Sequence, residues 1–105
     1  FAHGKSFIKF PIRFVYSEPR ELNADGSRCK ILTSVPKKRF KHAVDRNRVK
    51  RLMREAYRLN KINLTEVLGD RSISLAFVYI DSELPSFERV EKSMKSALEK
   101  LCREF

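Results

Sequence analysis

Residues 43–60, AVDRNRVKRLMREAYRLN, limit the possible folds more than any other stretch. They run for eighteen positions without Gly or Pro. Their apolar side chains recur at helical spacing: Val49, Leu52, Met53, Ala56, and then Leu59 or Asn60, form one stripe. The segment reads as an amphipathic helix of about five turns. Strand-like segments flank it. RCKILTSVP (28–36) is rich in β-formers and apolar on both parities, which predicts a central strand ended by Pro36. SISLAFVYI (72–80) is the most hydrophobic run and predicts a buried central strand. Two strands joined through a helix make a β-α-β unit, whose economical form pairs them in parallel.

The remaining segments fit around that unit. IRFVYSE (12–18) alternates and predicts another strand. LNADGS (22–27) carries turn chemistry. FAHGKSF (1–7) reads as the end of an element, with Gly4 able to stop a helix. NLTEVLGD (63–70) predicts a short helix or turn closed by Gly69. Residues 87–105 place Phe87, Val90, Met94, Ala97, Leu98 and Leu101 on one helical face, with Ser86 as N-cap. The expected fold class is α+β: a two-layer α/β sandwich with helices on one side of a small sheet. At 105 residues and 42% hydrophobic content, one domain spanning 1–105 is expected.

Charge is concentrated rather than spread. Between Lys37 and Lys61 stand eleven Lys or Arg and two acids, +9 in 25 residues. The other 80 residues hold twelve cations and eleven anions, +1. A neutral scaffold with one basic block suits a polyanion partner. Arg46, Lys50, Arg54 and Arg58 rise along one side of the helix at four-residue steps, and only Glu55 offers local relief. Like charges so placed repel by a few tenths of a kcal/mol per pair. A polyphosphate reverses that sign, and neutralising about six phosphates gives a log-affinity against log-salt slope of roughly −5. Arg outnumbers Lys in the helix, and its planar fork grips phosphate and stacks on bases. DNA-reading helices usually add Asn, Gln or Ser beside the Arg to read base edges, and here only Asn47 is of that type.

Other chemistries find less support. Cys29 and Cys102 lack metal-ligand spacing and are expected to be reduced thiols. His3 and His42 are far apart, and the acids form no pattern suited to metal ions, so no protein catalytic or metal residues are expected. No apolar run approaches the roughly 20 residues of a membrane span. The chain opens on Phe1 without Met, so its true N-terminus is expected to lie upstream.

The pattern Arg-Asn-x-x-Lys-Arg-x-x-Arg, here Arg46, Asn47, Lys50, Arg51 and Arg54, resembles the signature of the protein component of bacterial ribonuclease P. SVPKKRFKHAVDRNRVKRLMREAYRLN looks like that family's strand, connector and helix, and FAHGKS is similar to its segment after a first helix. The resemblance covers nearly the whole chain. It departs in the connector, where FKH (40–42) replaces the usual Gly and Asn. It also implies that a basic arm and most of a first helix are missing upstream.

That resemblance implies a mainly antiparallel sheet with one left-handed β-α-β crossover, a fold like domain 2 of ribosomal protein S5. It implies a cytoplasmic ribonucleoprotein that removes the 5′ leader of precursor tRNA, with Mg²⁺ and catalysis belonging to the RNA subunit. Expected partners are that RNA and the leader, with neither DNA nor membrane. Candidate RNA-binding residues are Arg46, Asn47, Arg48, Lys50, Arg51, Arg54, Arg58, Lys37 and Lys38. A leader cleft needs aromatic platforms beside cations, and the candidates are Phe1, Phe7, Arg13, Tyr16, Ser34 and Lys37. Phe1, Ser34 and Lys37 follow the family pattern by position. Arg13 and Tyr16 have opposite parity, so at most one faces the cleft. Phe14, Phe77 and Tyr79 are assigned to structure. The competing readings are a ribosomal-type RNA-binding protein without a role in cleavage, a protein-only nuclease, and a DNA-binding or membrane-surface protein.

Overall fold

Strand β5 (Arg71–Tyr79) is the strand on which the sheet is assembled. In this computed structural model, which describes residues 4–17, 20–21 and 29–105, β5 pairs antiparallel with β2 (Ile12–Tyr16) and parallel with β4 (Cys29–Ser34). β1 (Lys5–Lys9) adds to the outer side of β2, and a two-residue strand β3 (Arg20–Glu21) pairs with the start of β5. The chain from β4 to β5 passes through α1 (Ala43–Asn60) and the short α2 (Ile62–Leu68); α3 (Phe87–Glu104) follows β5. This is the expected α+β sandwich, mainly antiparallel with one parallel β-α-β unit.

Register decides which side chains share a face. Directly paired residues point the same way, so Phe7, Phe14, Phe77 and Thr33 form one row under the helices. Ile12, Phe14, Leu75, Phe77 and Tyr79 are buried there with Val49, Met53, Ala56, Val90, Met94, Ala97 and Leu101 from α1 and α3. Phe77 is the centre of this core. Its ring meets Phe14 edge-on at 5.4 Å and Tyr57 at 5.7 Å, separations at which aromatic pairs add to their area burial.

Local signals set the element ends. Ser86 caps α3, its hydroxyl accepting from the Arg89 N–H at 3.2 Å, which is worth about 1 kcal/mol. Gly69 ends α2 at φ 58°, a left-handed conformation that favours glycine.

Two expectations are corrected. Residues 5–9, read as the tail of an ending element, form a strand of their own. Five residues with a single core side chain, Phe7, give almost no periodicity to read, and only the pairing with β2 makes the strand. β4 is not central: among the described residues it pairs with β5 alone, and Leu32 is 59% exposed. Its second apolar parity faces outward. The turn expected at 22–27, together with Phe1 and His3, lies outside the described residues.

Candidate nucleic-acid interface

The buried stripe of α1 is Val49, Met53, Ala56 and Tyr57, with Leu52 packed partly against the core. Leu59 is 51% exposed, so the stripe closes on Asn60. The Asn60 amide donates to the Ala56 carbonyl at 2.8 Å and to Glu91 of α3 at 3.2 Å. With that side fixed, Asn47, Arg48, Arg51 and Arg54 are exposed and Lys50 is half-buried at the flank. Among the described residues, no hydrogen bond or ion pair holds Arg48, Lys50, Arg51 or Arg54. Four cations therefore stand within about two turns with their charge unspent. Asp45 in the first turn suits the helix dipole.

The ends of the anticipated cationic line behave differently. Arg58 is tied to Glu55, its Nε donating at 3.2 Å. The hydrogen bond and the charge of Arg58 hold the Glu55 carboxyl below its usual range. Arg46 turns back on the chain and donates from Nη1 to the carbonyls of Phe40 and Lys41 at 2.8 and 3.1 Å. It lacks the free outward projection expected of it, because those carbonyls precede the helix and need a donor. Phe40 itself is buried, its ring 5.8 Å from that of Tyr79. The unusual connector is thus held at Phe40 and Lys41, by a buried ring and by a guanidinium on two carbonyls, while Lys37, Lys38 and Lys41 remain exposed. Arg46→Ala is expected to cost about 1–2 kcal/mol of folding stability, a charge-assisted hydrogen bond's worth, on top of any loss of RNA affinity. A thermal melt of the RNA-free variant checks this; an unchanged midpoint would remove the structural role.

Among the described residues, the sheet face away from the helices is open. Ile8, Arg13, Val78 and Ser34 form one row across it; Ser6, Val15, Ala76 and Leu32 form the next. Arg13 is exposed and Ile8 is 51% exposed. A partly apolar floor crossed by a cation and hydroxyls can take both bases and phosphates. Arg13 and Ser34 therefore share a row, and Lys37 follows three residues beyond Ser34.

The other leader candidates fall elsewhere. Phe7 and Tyr16 are on the helix side: Phe7 stacks on Phe14 at 5.4 Å, and the Tyr16 ring meets Phe7 at 5.9 Å and Phe105 at 5.8 Å. The Tyr16 hydroxyl donates to Glu104 at 2.5 Å. Neither ring reaches the open face. What sequence reasoning missed is the aliphatic floor of Ile8, Val15 and Leu32; the alternation Leu32-Thr33-Ser34 was its only trace. His42 is exposed at the α1 N-cap position. Burial and nearby Glu99 push the Cys102 thiol up, away from reactivity. Among the described residues no group of three or more His, Cys, Asp or Glu comes together to hold a metal ion. No helix among them is long and apolar enough to cross a membrane.

Comparison with known proteins decides the family. The model of the Ribonuclease P family matches residues 1–102. The chain belongs to the ribonuclease P protein family. The ribonuclease P protein component of Porphyromonas gingivalis is 50% identical over 100 residues, covering 93% of this chain and 72% of that protein. That of Chlorobaculum tepidum is 42% identical over 96 residues, covering 83% and 62%. The solved Staphylococcus aureus RNase P protein superimposes with a TM-score of 0.68 at 18% identity, over 92% of this chain and 80% of that one. The fold is therefore that of ribonuclease P proteins, and family membership makes this chain part of an RNA-cleaving complex whose RNA is its partner.

Proposed function

We propose that this protein is the RNA-binding subunit of ribonuclease P and assists removal of the 5′ leader from precursor tRNA. The observation that carries this reading is the set of cations Arg48, Lys50, Arg51 and Arg54, without a partner among the described residues, on a helix whose other side is locked into a core. Arg forks and a Lys at that spacing meet successive phosphates of the catalytic RNA. Arg46 holds the connector so that Lys37 and Lys38 extend the same basic surface. The open sheet face beside Ser34 and Arg13 receives the single-stranded leader. The protein's part is to bind and orient.

The basic helix offers little to Mg²⁺. The acids of α1 are Asp45 and Glu55, and Glu55 is engaged by Arg58. We assign the ion and phosphodiester hydrolysis to the RNA, and the protein to the cytoplasm with its RNA.

Reconstitution with cognate ribonuclease P RNA at low Mg²⁺ tests the reading. The protein is expected to raise precursor tRNA processing and to cleave nothing alone. Absence of stimulation, with RNA binding retained, would favour a purely structural RNA-binding role. Cleavage by the RNA-free protein would overturn the assignment of catalysis.

A further inference from the structure

A third basic surface lies at the opposite edge of the sheet, and neither α1 nor the open face accounts for it. β1 is the outer strand, with β2 and β5 between it and β4, so about 14 Å separates the two edges. Between β1 and α3 runs an open groove of about 370 Å³ lined by Lys9, Phe10, Arg89, Lys92, Ser93 and Ser96. Half of that lining is cationic and none of it is acidic. Its floor is fixed, because the Ser93 hydroxyl donates to the Lys9 carbonyl at 2.5 Å. Its rim carries Phe10, 58% exposed, with the Arg89 guanidinium 5.4 Å from the ring centroid. Arg89 also reaches Asp81 at 3.5 Å, an acid outside the lining.

A solvent-exposed ring beside a guanidinium and two lysines is the pairing that recognises an unpaired base and its flanking phosphates. A duplex offers no free base to such a ring, so the chemistry selects single-stranded RNA. Position then selects the strand. The row Ser34–Val78–Arg13–Ile8 crosses the open face from the β4 edge to the β1 edge and stops one residue before Lys9. Lys9 pairs with Ile12 and so points to the helix side, and RNA laid along that row has to round the β1 edge at Phe10 to enter the groove.

We propose that the β1–α3 groove is a distal subsite for the leader. Nucleotides that have crossed the open face stack on Phe10 and present phosphates to Lys9 and Lys92. This rests on the open face being the path of the leader.

The test uses the reconstituted holoenzyme and two precursor tRNAs, one with a leader of about ten nucleotides, within the length of a single-strand groove, and one trimmed to a single nucleotide. Phe10→Ala combined with Lys92→Ala removes two exposed side chains. It is expected to lower kcat/KM about 10-fold on the long leader, to leave the trimmed substrate unchanged, and to leave the melting temperature unchanged. Equal loss on both substrates would assign the groove to the catalytic RNA and overturn the subsite. Arg13→Ala with Ser34→Ala, run in parallel, reports on the open face. A long-leader loss there, with none in the groove variant, overturns the subsite alone. No loss in either variant overturns both.

Discussion

Alanine at Arg48, Arg51 and Arg54 together is expected to weaken binding to ribonuclease P RNA by about 1000-fold. Each charge-assisted hydrogen bond is worth about 1.5 kcal/mol or more, and three such losses exceed 4 kcal/mol. The log-affinity against log-salt slope should flatten by about 2 to 3 units, since each lost phosphate contact removes 0.7 to 0.9. The fold should be indifferent. None of the three side chains has an intramolecular partner among the described residues, and removing them relieves repulsion along the helix. Binding titrations at two salt concentrations, beside a melt of the free protein, check both halves. A lowered melting temperature, or an affinity within a few fold of the parent, would show that these residues do something other than meet phosphate.

Phe77→Ala is the expected extreme in the other direction, with stability lost first and RNA binding following. The ring is fully buried where β2, β4 and β5 are in register, and Phe14 and Tyr57 pack on it. Truncating a buried Phe costs about 3–5 kcal/mol, against roughly 5–15 kcal/mol for a whole domain. The midpoint of thermal unfolding should fall by roughly 15–30 °C. Leu32→Ala, on the open face at 59% exposure, should cost about 0.5 kcal/mol or less. Similar small effects at both positions would mean that β5 is not where the core is centred.

The long elements were legible because their signals are redundant. α1 has eighteen residues of periodicity, and its observed span, Ala43–Asn60, matches the expected one. β5 is apolar enough to require partners on both edges, and it has them. Ser86 and Gly69 act at element ends as their types suggest. β1 was illegible because its stability is borrowed from β2. β4 misled because an apolar second parity suggests burial, whereas here it floors an open face.

At the candidate site, clustering of charge was readable but its disposition was not. Arg46, Arg54 and Arg58 look equivalent at four-residue steps. The structure separates them by what lies within reach: carbonyls for Arg46, a carboxylate for Arg58 and solvent for Arg54. Parity correctly limited Arg13 and Tyr16 to one between them on the open face, but only the register with β5 says which.

The place of β5 in the chain has a consequence for how the molecule is made. β2, β3 and β4 all find their partner in β5, which leaves the ribosome after the whole basic helix. Until residue 79 has emerged, the β1–β2 hairpin is the one strand pair among the described residues that can close, and pairing that waits on distant residues is slow. During that interval the nascent chain displays its cationic helix with the greasy side uncovered, so synthesis near abundant RNA exposes it to premature capture.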